Sequence, residues 1–349
     1  MSALETLVAR YEAPVSGGVG YVGADIPREL VEAAGLVPIR LRGTGAADPL
    51  AESILGSRVD PPTRRILGAL LRGELPIDFL LLAHDSDSSV RLHDALRRLS
   101  QADLPELWFV DLLHLPTETT AAYDLGRLRE LVAVLARWSG QPVTDESLRT
   151  AIREANRTRR LLAQLAELRR DSSPRLSGTS ALAAIGATTM LPAAESNALL
   201  EQLLAESHPA VPALRRLYVT GSSHDTLDLY RAIESDGSVI VGEDHDWGEA
   251  LADGLADERD DPLAAIAARY RSGSATAIRH ETAARAEHVA REAEAARADV
   301  VVSWIRTGDD ALGWGLPALR RALEARGIRL VAAEQRGPGA ESAAELALA

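Results

Sequence analysis

Short apolar runs alternate with helix-length segments at both ends of the chain, and the middle is helical almost throughout. After a short helix over 3–11, residues 17–22 (GGVGYV) form a glycine-flanked apolar run that predicts a strand. The next stretch, GADIPRELVEAAGLVPIRLRG, predicts a helix: Pro27 suits its first turn, Glu29 favours its N-terminus and Gly35 suits its C-terminal cap. A strand is expected over 37–41. Residues 53–72 read as helix interrupted by Pro61 and Pro62. The run at 79–83 predicts a buried strand emptying into HDSDSSV, with helix again over 89–99 and strand over 107–110.

From about 122 to 206 the periodicity is helical. Leu128, Leu131, Leu135 and Trp138 share one apolar face, and Thr144 or Asp145 can cap the next helix towards Arg170. After a loop at 171–178, two more helices are expected over 178–190 and 193–206. The strand pattern restarts at 217–220, followed by GSSHD at the mouth of a helix through Leu227, Tyr230 and Ile233. A strand over 238–241 ends in GEDHDWG; after an acidic loop at 253–261, helices are expected over 262–271 and 275–297. The unit at 298–332 has a strand at Val300, Val301 and Val302, a loop from Arg306 to Asp310, a helix over 316–326 and a strand from Ile328. The tail after Glu334 is expected to be loose, with one helical turn at most.

Strand–loop–helix–strand units of this length imply parallel sheets. The expected fold class is α/β: two Rossmann- or flavodoxin-like parallel-sheet domains, at 1–125 and 207–349, joined by a helical connector at 126–206. Ligands of such sheets gather at loops leaving the C-terminal ends of strands. The loops at 23–25, 84–90, 221–225, 243–247 and 306–310 are therefore the places to look.

The 349 residues suit two or three domains, and 46% apolar content is enough for sizeable cores. A net charge of −13 argues against a general nucleic-acid binder. No apolar run is long enough for a membrane span, and the opening MSALETLVARYEAP lacks the pattern of a secretory signal, so a cytoplasmic protein is expected. The chain contains no cysteine, which excludes disulfides and thiolate-held zinc or iron–sulfur centres built by this chain alone.

Five segments resemble the subunits of the 2-hydroxyacyl-CoA dehydratase and benzoyl-CoA reductase family. GYVGADIPRELVEAAGLVPIRL is similar to the family's first motif, in which a cysteine sits four residues before the proline. FLLLAHDSDSSVRLHDAL resembles the second, a strand followed by Cys-Asp and a helix. TDESLRTAIREANRTRRLL is similar to the family's middle helix, with Asn156 and Arg159 in its Asn-x-x-Arg element, and LSGTSAL with Met190 and Pro192 follows it. LYVTGSSHDTLDLYRAIESDGSVIVGED resembles the start of the family's C-terminal domain. ADVVVSWIRTGDDALGWGLPALRRALEARGIRL resembles the third cysteine motif.

The resemblance implies three cysteines holding a [4Fe-4S] cluster between the domains. Here the aligned positions are Gly23, Ser86 and Gly308, so the cluster is expected on a partner and no cofactor on this chain alone. The leading expectation is a cluster-free subunit of a lyase or reductase complex. It would pair with a cysteine-bearing homologue acting on an acyl-CoA, or with a second copy of itself. The alternatives are a stand-alone enzyme with a hard-metal or metal-free site in the same cleft, and a non-catalytic binding protein.

The loop residues supply candidates for each. His84, Asp87, His224 and His245 are candidate acid–base residues. Ser222, Ser223, Thr307 and Arg91 are candidates for a phosphate or carboxylate, and Trp247 and Trp304 for an acyl or adenine group. No metal is expected; if one were held, His84, Asp87, His245 and Asp309 would be the hard ligands. For the acids, solvated loops and helix caps are the plain alternative, and for the tryptophans, core packing.

Overall fold

The computed structural model describes residues 1–15, 17–99, 104–272 and 281–336. Each half carries one four-stranded sheet, and long helices lie between them. The first sheet holds β1 (Val19–Val22), β2 (Pro38–Arg40), β3 (Phe79–Ala83) and β4 (Glu106–Val110) in the order β2-β1-β3-β4. The second holds β5 (Arg215–Gly221), β6 (Ser238–Glu243), β7 (Val300–Arg306) and β8 (Arg329–Arg336) in the order β6-β5-β7-β8. Every pairing is parallel, so the two lobes share one topology, as the α/β reading expected. Helices cover the faces of both sheets, which is why β3 reads as a continuous apolar run with Leu80, Leu81 and Leu82 fully buried.

The N-terminal lobe has α2 (Arg28–Ala33), α3 (Pro49–Leu55), α4 (Pro61–Leu71) and α5 (Asp87–Leu99), preceded in the chain by α1 (Ala3–Glu12). The middle is α6 (Glu118–Ser139), α7 (Asp145–Arg170), α8 (Gly178–Ala187) and α9 (Ala193–Ala205). The C-terminal lobe adds α10 (Asp228–Glu234), α11 (Pro262–Ser272), α12 (Thr282–Ala295), α13 (Asp310–Gly313) and α14 (Leu316–Glu324).

Several boundaries differ from the sequence expectation for local reasons. α3 begins at Pro49 because Asp48 accepts hydrogen bonds from the amides of Leu50 (2.9 Å) and Ala51 (3.1 Å), and proline suits the first turn. Pro61 and Pro62 open α4 rather than interrupting a longer helix; Asp60 caps it through the Thr63 amide at 2.7 Å. β8 runs on to Arg336, past the point where a loose tail was expected, and residues 337–349 lie outside the described residues. The expected helix over 275–297 is described only from Thr282.

The two lobes exchange elements. Leu7 and Tyr11 of α1 belong to a core shared with Leu182, Leu217 and Trp247, on the C-terminal side. Ile266 and Tyr270 of α11 join Val19 and Leu81 in the N-terminal core. Helix α7 is the common spine. Its Arg159 is paired with the buried Glu29 of α2, and its Arg169 with the buried Glu243 of β6. The middle and the C-terminal end of that helix are thus tied to different lobes by buried charge.

Candidate functional site

In each sheet the chain moves outward from the first strand to one side and returns to the other. The reversal falls between β1 and β3 in one lobe and between β5 and β7 in the other. The C-terminal ends of these four strands open into one cleft of about 700 Å³ between the lobes. Gly23, Asp85, Ser86, Ser222, Ser223, Asp246 and Gly308 line it, with Arg58 and Asp60 at the approach to Gly308.

The cleft is crossed by direct links. The Arg40 guanidinium pairs with the Asp246 carboxylate, donates to the Asp246 carbonyl at 2.5 Å and lies 4.1 Å over the Trp247 ring. The Gly43 amide donates to Asp225 Oδ2 at 2.6 Å; within the C-terminal lobe, Arg306 approaches Asp225 Oδ1 at 3.5 Å. Burial alone would raise the Asp246 carboxyl, but Arg40 and the Ser223 hydroxyl hold it below the usual carboxylate range.

Asp85 also sits in the cleft, with no such cation paired to it among the described residues. Its Oδ2 accepts from the Ala24 amide and its Oδ1 from the Ser89 hydroxyl at 3.2 Å. Burial pushes its pKa up to about 6 against the Ala24 bond, and the nearby Asp246 adds to the rise. Asp309, on the facing lobe, is also raised by burial, although the Ser222 hydroxyl donates to its Oδ2 at 2.7 Å.

The residues singled out in the sequence fall into three groups. His245, Ser222, Ser223 and Trp247 line the cleft, as do His84, Asp87 and Arg91 on the opposite wall. His245 is 4% exposed; its Nδ1 accepts from the Trp247 amide at 3.3 Å and its Nε2 meets the Tyr230 hydroxyl at 2.9 Å. Burial depresses its pKa, so it stands neutral between those two partners. His84 is exposed and paired through Nδ1 with Asp111 at 2.7 Å. Asp87 and Arg91 form an exposed pair one turn apart on α5, 2.9 Å across. His224 and Trp304 are sealed in the core, and Thr307 lies beside the lining rather than in it. The His224 ring packs edge-on against His245, with centroids 5.3 Å apart.

Among the described residues, no group of three His, Asp or Glu side chains is arranged to hold a metal ion. His84, Asp87, His245 and Asp309 each turn to a separate protein partner. The iron–sulfur seat fares no better. Gly23 and Gly308 have left-handed backbone (φ +102° and +92°) and offer no side chain. Ser86 is engaged as a cap on α5, accepting from the Ser89 amide at 3.1 Å. The three positions do not fit a cluster.

Sequence reasoning did not single out Asp85 from the other loop acids, and it passed over Arg40. Each carried a signal. Arg40 is a charge inside an apolar strand, and Asp85 lies two residues past the buried Ala83, on the same side by strand alternation.

Residues 24–335 match the family model described as 2-hydroxyglutaryl-CoA dehydratase, D-component. The chain belongs to this family. It is similar to a benzoyl-CoA reductase subunit of Thauera aromatica, at 26% identity over 65% of this chain and 61% of that one. It therefore spans less than two thirds of that relative's length. It is also similar to the (R)-phenyllactyl-CoA dehydratase beta subunit of Clostridium sporogenes, at 19% identity over 89% of this chain and 84% of that one. Both relatives are named as subunits. This family member has no cysteine with which to ligate iron and sulfur. Among the described residues no helix is long and apolar enough to cross a membrane.

Proposed function

We propose that the chain is the cluster-free subunit of a cytoplasmic complex of the 2-hydroxyacyl-CoA dehydratase or benzoyl-CoA reductase type. Its partner is a homologous subunit that bears the [4Fe-4S] cluster and acts on an acyl-CoA. The observation that carries this reading is the family's two-lobed fold and cleft without a thiol at any of the three ligand positions. A chain of this kind contributes a wall and an interface, while its partner contributes the cluster.

Two further observations support it. The relatives it matches are subunits of larger assemblies by name. Trp314, which follows the cleft-lining Leu312, is 82% exposed, and tryptophan is a residue enriched at protein interfaces.

The test is co-expression of the tagged chain with a cysteine-bearing homologue from the same host, under anaerobic purification. The expected result is an equimolar pair that carries iron and sulfide, and an iron-free chain when the homologue is omitted. A homologue that assembles its cluster and its acyl-CoA activity without ever retaining this chain would reject the reading.

A further inference from the structure

We infer that the cluster seat of this chain has been overwritten rather than vacated: a carboxylate and backbone of the opposite lobe block the side-chain directions at Gly23 and Gly308, and direct pairing between the lobes lines the cleft that a shared cluster would bridge. The inference rests on family membership and on the geometry of this chain. It does not depend on the partner proposed above.

The N-terminal side of the seat is a single interlocked unit. A Cβ added to Gly23 would lie 2.5 Å from Asp85 Oδ2 and 2.6 Å from the Ala83 Cβ. The Asp85 carboxylate therefore occupies the space into which a ligand at position 23 projects. It is not free to swing away: the Ala24 amide holds one oxygen and the Ser89 hydroxyl the other. Ser89 is itself buried, and its amide donates to Ser86 Oγ. Two of the three ligand positions thus belong to one hydrogen-bonded group. Ser86 caps the helix that presents Ser89, Ser89 pins Asp85, and Asp85 fills the place beside Gly23.

The C-terminal side is closed by the opposite lobe. A Cβ on Gly308 would lie 2.6 Å from the Arg58 carbonyl oxygen. Backbone of the N-terminal lobe meets backbone of the C-terminal lobe at this glycine, and a side chain there would force them apart. The Arg40–Asp246 pair and the Gly43–Asp225 hydrogen bond cross the same seam. Tyr11, on the helix that crosses over, donates to the Asp225 carbonyl at 2.7 Å. The lobes are joined by protein contacts along the cleft that a shared inorganic group would bridge.

A double-mutant cycle on the purified full chain tests this. Gly23→Ala should lower Tm by roughly 5 °C. In the Asp85→Ala background the same change should cost clearly less, because both carboxylate contacts are gone and only the Ala83 Cβ contact and the backbone strain at positive φ remain. Gly308→Ala should lower Tm as well. An equal penalty for Gly23→Ala in both backgrounds would overturn the inference, as would full tolerance of Gly308→Ala. The companion experiment returns the thiols. The Gly23→Cys, Ser86→Cys, Gly308→Cys chain, exposed anaerobically to ferrous iron and sulfide, should show no visible absorbance of an iron–sulfur cluster. Uptake of about four irons per chain with Asp85 still in place would refute an overwritten seat. Where the triple variant does not fold, the Gly23–Asp85 cycle decides.

Discussion

Arg169 and Glu243 form a two-pronged ion pair with both side chains sealed from solvent, at 2.7 and 3.0 Å. Glu249 adds a second carboxylate at 2.5 Å, and Arg170 reaches the same Glu249 at 2.7 Å. Burial opposes the charged form of each member, and the Arg169 guanidinium outweighs it, holding Glu243 below its ordinary value. This pair fastens the end of α7 to the end of β6, an edge strand of the C-terminal sheet. Arg169→Ala would leave the buried Glu243 without its cation, so it should cost about 3–5 kcal/mol of folding stability in urea melts. Replacing both partners, Arg169→Met with Glu243→Leu, should cost less than Arg169→Ala alone. A double variant at least as unstable as the single one would show that the pair's charge is not what the site penalises.

The Asp85 carboxyl makes stability depend on pH in a definite direction. Its folded pKa, about 6, lies above the unfolded 3.8, so the folded state holds the proton more tightly. That contribution is complete below about pH 4 and is lost as pH rises through 6. Asp85→Asn removes it. The stability of the native chain minus that of the variant should fall between pH 4 and 7 by at most about 3 kcal/mol, then level off. Urea melts across this range are the measurement, and a difference that stays flat would mean that Asp85 titrates as it does in the unfolded chain.

Much of this fold can be read from apolar periodicity. β3 coincides with its apolar run, and β1, β5 and β7 lie where such runs end in glycine or polar loops. Those patterns are local, and so is the capping that starts α7 at Thr144. The element exchange was not legible, because an amphipathic helix such as α1 shows which face it buries but not which lobe receives it. The site divides along the same line. Loop position marked Ser222, Ser223, His245 and Trp247 as cleft residues. It gave no means of separating His245 from the sealed His224, since the two differ only in tertiary surroundings. Gly23 and Gly308 were recognisable as positions without a thiol. That each is tightly approached, by Asp85 and by the Arg58 carbonyl, follows from contacts between different loops in one case and between the lobes in the other.

Asn156 is a structural clamp on the acidic loop. Its Nδ2 donates to the Ala256 carbonyl at 2.8 Å and to Glu258 at 2.9 Å, and its Oδ1 accepts from the Ala256 amide at 3.0 Å. Arg159, one turn on, also donates to that oxygen at 3.0 Å while pairing with Glu29. Asn156→Ala should therefore free the loop between β6 and α11 and lower stability by about 2–3 kcal/mol. Limited proteolysis is the direct readout, with cleavage within 253–261 expected to speed up before the rest of the chain is attacked. Unchanged cleavage there would assign the loop's order to other contacts.

His224 supplies a pH dependence of opposite sign. It is 2% exposed, and its Nε2 has no hydrogen-bond partner among the described residues. Burial, then Arg306 and His245, hold its pKa well below 6.5. The unfolded chain therefore takes up a proton on this ring that the folded chain refuses. The associated stability is present above about pH 6.5 and is lost as pH falls, by as much as about 1.4 kcal/mol per unit. His224→Leu, similar in bulk and free of that proton, should gain on the native chain as pH is lowered from 7 to 5. Paired melts of the two proteins at fixed ionic strength test the slope. Parallel curves would place the His224 proton on the folded ring, which its enclosure between Arg306 and His245 makes costly.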